Sequence, residues 1–200
     1  CNMSKIYLTR GTVMGQNYFP PEKEVDFDNN NIIVVANGYI NTNQTNNKPL
    51  QKIISDLYVD EGENLINYLE GSFAFVLGDG QKIFAARDPL GIKPLYYTDF
   101  NDTIIFASEI KALIGQGFEI KTFPPGHYFT SDKGFVKYYE LKNNKDNCSS
   151  PEEAASEIRK RLIEVIEKYY DRDKNVGIYL SGGIDSSIIA AAAREVISDL

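Results

Sequence analysis

The chain has 200 residues, 42% of them hydrophobic and 24% charged, the composition of a globular protein with a substantial core. Its net charge of −7 and pI near 4.8 argue against nucleic acid or an anionic membrane surface as the main partner. The start, Cys1-Asn2-Met3-Ser4-Lys5, has no signal-peptide apolar core, and no apolar run is long enough to span a bilayer, so a cytoplasmic protein without membrane contact is expected. Two cysteines, Cys1 and Cys148, are too few and too far apart for a metal site or a disulfide framework.

In chain order, short strand-like runs rich in β-branched and aromatic residues fall at Lys5–Leu8, Ile32–Ala36, Phe73–Gly78, Lys82–Ala86, Leu95–Thr98, Thr103–Ala107, His127–Thr130 and Phe135–Tyr139. Between the second and third, Leu50, Ile53, Ile54 and Leu57 recur at helical spacing, followed by Leu65, Ile66 and Leu69. The pattern predicts an α+β fold of stacked antiparallel sheets with covering helices over residues 1–142. The Asn-rich stretches Asn29–Asn31 and Asn41–Asn47 read as surface loops. A polar linker follows at 143–150, and a second domain begins at 151. There Ser150-Pro151-Glu152-Glu153 supplies an N-cap, a proline at the first helical position and a glutamate at the third, predicting a helix to about Tyr170. A strand is expected at Val176–Leu180. Only 14 residues follow Ser186, so the α/β nucleotide-binding domain is expected to be truncated.

The stretch after that strand, Ser181-Gly182-Gly183-Ile184-Asp185-Ser186-Ser187, breaks an apolar run at two glycines and restarts it as a helix. Unpaired amides at a helix N-terminus favour an anion. Ser181, Ser186 and Ser187 add hydroxyl donors, and Asp185 suits a phosphate only with a cation such as Mg²⁺ between them. The alternative is a strand-to-helix turn that binds nothing. The stretch lacks the Gly-Lys-Ser/Thr ending of a Walker P-loop and resembles the pyrophosphate loop of the N-type ATP pyrophosphatases.

Leu69-Glu70-Gly71-Ser72-Phe73-Ala74-Phe75, Arg87-Asp88-Pro89-Leu90-Gly91-Ile92-Lys93-Pro94-Leu95-Tyr96-Tyr97 and Phe106-Ala107-Ser108-Glu109-Ile110-Lys111 resemble consecutive segments of the class II glutamine amidotransferase domain. With Phe123-Pro124-Pro125-Gly126-His127 and the serine-glycine loop after them, their order is similar to that of glutamine-dependent asparagine synthetases. The resemblance implies an Ntn-hydrolase-like first domain, ATP and Mg²⁺ as cofactors, and glutamine or ammonia, aspartate and ATP as substrates. It implies pyrophosphate and nucleotide contacts at Leu180, Ser181, Gly182, Gly183, Asp185 and Ser186, with Asp185 toward Mg²⁺. It also implies an oxyanion hole at Asn37-Gly38 and a carboxylate-gripping Arg10. An Asn-Gly hairpin turn and a solvated surface charge are the plainer readings of those two sites. Read from the residues alone, Arg87–Tyr97 is structural: Gly91 permits a tight turn, Pro89 and Pro94 stiffen it, and the tyrosines cover a sheet. His127, the single histidine, and Cys148 carry no catalytic role.

The family's nucleophile is an N-terminal cysteine whose own α-amine, titrating near about 7.7–8.0, accepts the thiol proton. Cys1 is the candidate here, but Cys1-Asn2-Met3 departs from the family's Cys-Gly-Ile start, and the segments that separate that start from the arginine are missing, so the first domain reads as N-terminally incomplete. The plainer reading makes Cys1 an incidental terminal residue. No acidic residue stands between Thr45 and Gln51 to hold the glutamine α-amine. Three functions stay open: an asparagine synthase-like ligase, a ligase of the β-lactam synthetase type with an inactive amidotransferase domain, and a non-catalytic scaffold or dimerisation module. A homodimer is also left open.

Overall fold

A computed structural model describes residues 7–9, 26–27, 32–41, 48–100, 103–115, 119–142, 150–172 and 175–197. The chain divides into two compact units, Cys1–Leu141 and Lys142–Leu200.

The first unit contains strands β1 (Tyr7–Thr9), β2 (Asp26–Phe27), β3 (Ile33–Ile40), β4 (Gly71–Gly78), β5 (Ile83–Arg87), β6 (Tyr96–Phe100), β7 (Thr103–Ala107), β8 (Lys121–Thr122), β9 (His127–Thr130) and β10 (Gly134–Lys137). Helix α1 (Leu50–Glu61) and a 3-10 turn (Gly62–Tyr68) lie between β3 and β4. One sheet has six antiparallel strands in the order β10-β9-β5-β4-β3-β2, and a second has four in the order β1-β7-β6-β8. The two-sheet α+β arrangement is the expected one, with one exception. β1 pairs with β7 in parallel, because the two strands are not joined by a hairpin and the intervening chain allows either direction.

Successive side chains of a strand point to opposite faces, and β4 is apolar on both. Its Phe73, Phe75 and Leu77 join Val34, Phe84 and Ile54 in one cluster, against which Leu50, Leu57 and Tyr58 of α1 pack. Its smaller Ala74 and Val76 turn the other way, toward Ile104, Phe106 and Phe123, the cluster between the sheets. Gly62 ends α1 with φ +60, and the Leu65–Leu69 run continues as the 3-10 turn.

The second unit contains α2 (Pro151–Tyr169) and α3 (Ile184–Val196). The predicted cap is present: the Ser150 hydroxyl accepts the Glu153 N–H at 3.1 Å, with Pro151 opening the helix. The predicted strand at Val176–Leu180 is not formed. A strand needs a partner for its backbone groups, and no described residue of this unit pairs with the run, which leaves Tyr179 99% and Leu180 65% exposed.

Candidate functional site

Asn37 and Gly38 stand in the middle of β3, paired with Ala74 and Phe73 of β4. The hairpin-turn reading is therefore excluded, since the strand runs on through both residues to Ile40. Gly38 has φ +140, and a Cβ there would lie 2.1 Å from the Ser72 carbonyl oxygen and 2.8 Å from the Phe73 Cα. A glycine inside a strand at so close an approach is required by the neighbouring backbone. Asn37, Ala74 and Arg87 form one row across β3, β4 and β5, on the face that looks between the sheets. There a cavity of about 40 Å³ opens, with Val35, Ala74, Val76, Leu95 and Phe106 among its apolar walls. Among the described residues, Asn37 and Ser108 are the two polar ones that line it. Neither side chain has a hydrogen-bond partner among the described residues.

The wall of this cavity is held by a buried pair of charged residues. Arg87 donates from Nε to the Lys93 carbonyl at 2.7 Å, from Nη1 to that of Phe123 at 2.7 Å and from Nη2 to that of Gly91 at 2.8 Å. The fully buried Asp88 carboxylate accepts the N–H groups of Leu90, Ile92 and Lys93 at 3.1, 2.9 and 2.9 Å. The Tyr138 hydroxyl donates to the Arg87 carbonyl at 2.8 Å, and burial, with the Asp88 charge nearby, pushes its pKa up so that it stays a neutral donor. Gly91, at φ +66, has no room for a side chain against Pro125 and the Arg87 guanidinium. These bonds fix the 88–94 loop and with it Pro94 and Leu95 of the cavity wall. Sequence reasoning assigned the stiffness to the prolines and missed the ionic brace. The signal was present as an Arg-Asp pair at the end of an apolar strand, where a charge must find partners if it is buried.

In the second unit the Ser181–Ser187 loop folds on its own hydroxyls. Ser181 Oγ accepts the Gly183 N–H at 3.3 Å and lies 3.1 Å from Ser186 Oγ, while Ser186 and Ser187 donate to the Gly183 carbonyl at 3.1 and 2.8 Å. Gly182 turns the chain at φ +82, with no atom within 4 Å of where its Cβ would stand. The N–H groups of Ile184, Asp185 and Ser186, at the start of α3, have no acceptor among the described residues. Asp185 is exposed beside them. Three free amides around an open glycine turn are what an anion needs. Cys1, Arg10 and Cys148 lie outside the described residues. His127 Nδ1 sits 2.7 Å from the Pro125 carbonyl oxygen.

Residues 25–115 match the glutamine amidotransferase domain family and residues 157–199 the asparagine synthase family. The glutamine-hydrolyzing asparagine synthetase 2 of Arabidopsis thaliana is 37% identical over 147 residues, covering 71% of this chain and 25% of that one. The chain belongs to the asparagine synthetase family. The glutamine-hydrolyzing asparagine synthetase B of Escherichia coli is 35% identical over 153 residues, covering 72% of this chain and 27% of its own length. The chain thus spans about a quarter of the length of these relatives. Among solved structures, the glutamine phosphoribosylpyrophosphate amidotransferase of B. subtilis is similar at 19% identity and a TM-score of 0.46, over 84% of this chain and 45% of that one. Asn37 and its cavity wall fall in the amidotransferase match, and the Ser181–Ser187 loop in the synthase match.

Proposed function

We propose that this chain belongs to an asparagine synthase-like ligase, in which the aspartate side-chain carboxylate attacks the α-phosphorus of ATP, pyrophosphate leaves, and nitrogen from glutamine or ammonia displaces AMP. The observation that supports this reading most is the open glycine turn at Gly182, followed at the start of α3 by three amide N–H groups that have no acceptor among the described residues. Those groups, with the serine hydroxyls, suit the charge that builds up on a departing pyrophosphate. The loop would hold that group through Ser181, Gly182, Gly183 and Ser186, with Leu180 against the nucleotide. Among the described residues no cluster of three metal-ligating side chains exists, so a Mg²⁺ ion would be held by the exposed Asp185 carboxylate together with phosphate oxygens. That donor set fits Mg²⁺, which keeps few protein ligands; bound there, it would neutralise charge on the phosphates. In the first unit, Asn37 and Gly38 would serve as the oxyanion hole and Arg10 would hold the glutamine α-carboxylate.

The full-length protein should catalyse aspartate-dependent exchange of pyrophosphate into ATP, and Asp185→Asn should cut that exchange by a factor on the order of 100. Normal exchange in the variant would reduce the loop to an ordinary turn. The absence of an acidic residue between Thr45 and Gln51 favours a second reading, a ligase that takes ammonia or an internal nucleophile and leaves glutamine untouched. Asparagine formed from ammonia but not from glutamine selects that reading. A glutamine-dependent rate abolished by Cys1→Ala restores Cys1 as the nucleophile.

A further inference from the structure

We infer that Asn37-Gly38 is a spontaneous modification site that becomes reactive only when β3 leaves β4, and that the modified strand cannot return. Asn37 is the one asparagine of the chain followed directly by glycine. A residue without a Cβ leaves its own backbone nitrogen unhindered, so in an open chain this nitrogen can reach the preceding side chain. The Gly38 nitrogen then gives its proton to water and bonds to Asn37 Cγ, the Cγ–Nδ2 bond breaks, and ammonia leaves a five-membered imide. Water opens the imide at either carbonyl and yields aspartate or isoaspartate. Water is the only other reactant.

The folded strand blocks that closure. Asn37 and Gly38 pair with Ala74 and Phe73, inside a ladder that runs from Ile33 to Ile40, and β3 itself lies between β2 and β4. Swinging the Gly38 nitrogen toward the Asn37 side chain rotates the peptide plane between them out of this ladder. There is no slack for the movement, since the place of a Gly38 Cβ lies 2.1 Å from the Ser72 carbonyl oxygen. Val34, Ala36 and Ile40 of the same strand are buried with Phe73 and Phe75, so opening β3 uncovers core. Modification therefore proceeds from the opened strand, at a rate set by how often that state is populated.

Neither product fits back. Isoaspartate routes the main chain through Cβ and Cγ and lengthens it by one methylene, which throws Gly38, Tyr39 and Ile40 out of register with Phe73, Ser72 and Gly71. Aspartate keeps the register but sets a carboxylate among Val35, Ala74, Val76, Leu95 and Phe106, with no charged side chain among the described lining residues to meet it. Each opening of β3 thus carries a chance of permanent exit from the fold.

The test is ageing of the 200-residue chain at mildly alkaline pH, in buffer and in urea, with conversion of Asn37 followed by mass spectrometry of its peptides. Conversion should be slower in buffer by a factor on the order of 100 or more, the rarity of an opening that uncovers core. Once urea is removed, the fraction converted to isoaspartate should equal the fraction that fails to regain the native circular dichroism spectrum. Asn37→Gln keeps an amide but must close a six-membered ring, so after the same ageing it should refold as well as it did before. Equal conversion in buffer and urea would overturn the inference, as would isoaspartate-containing chains that refold to the native spectrum. So would an Asn37→Gln chain that loses refolding on ageing as fast as the unsubstituted one. Should that variant not fold at all, the first two comparisons decide.

Discussion

Gly38 and Gly182 both have positive φ, at +140 and +82, yet different neighbours demand them. At Gly38 the demand is steric as well as conformational, because a Cβ would run into the Ser72 carbonyl at 2.1 Å, and that atom is backbone in a paired strand and cannot swing away. At Gly182 no atom lies within 4 Å, so a side chain would meet only the cost of its own backbone conformation. Gly38→Ala should therefore cost about 3 kcal/mol or more, or prevent folding, as a strained φ and a forced strand separation combine. Gly182→Ala should cost only about 1–2 kcal/mol, the left-handed penalty of an L-residue, and keep the fold while it lowers pyrophosphate exchange. Urea unfolding of the two variants reads the contrast; equal losses would mean that the β3–β4 approach is not what requires Gly38.

The turn between β4 and β5 shows how an element is tied down by a single carboxylate. Asp79 accepts the N–H groups of Gln81 and Lys82 at 2.8 and 2.7 Å, and the Tyr58 hydroxyl at 2.8 Å joins α1 to the same turn. Burial pushes the Asp79 pKa up, but the two amides and the tyrosine together hold it below its usual 3.8. The Lys82 ammonium, helped by the Thr130 hydroxyl, holds the exposed Asp132 down to about 2. Both folded-state values are depressed, so the stability these groups contribute is fully present above pH about 4 and is lost as pH falls toward about 2. Urea midpoints should drop through that window and change little just above it. Asp79→Asn, which removes the titrating group but keeps an oxygen acceptor, should flatten the drop. An equally steep fall in that variant would place the acid sensitivity elsewhere.

On the scale of the whole molecule, the two units differ in how much they bury. The first holds both apolar clusters, one under α1 and one between the sheets. In the second, the buried hydrophobic residues among those described are Ala192, Ala193 and Ile197, while Ile158, Val165, Tyr179, Leu180 and Ile184 stand exposed. A fragment of residues 1–141 should unfold cooperatively, whereas residues 142–200 alone should lose helical circular dichroism gradually, because so small a core cannot offset chain entropy. A sharp transition in the shorter fragment would contradict this. Strand runs such as Phe73–Gly78, the helix at Leu50–Leu57, the Ser150 cap and the glycine break at Ser181–Ser187 were legible because each depends on residues close together in the chain. Periodicity, capping and turn chemistry are local, and so the sequence by itself determined these elements, the two-sheet class and the family resemblance. Strand register is not local. Only the tertiary structure decided that Asn37-Gly38 is a mid-strand site rather than a turn, that Arg87 and Asp88 are a buried brace, and that Val176–Leu180 has no strand beside it. It alone brought Ser108 to the cavity of Asn37, because which residues face one another across two sheets depends on pairings between segments that no local pattern records.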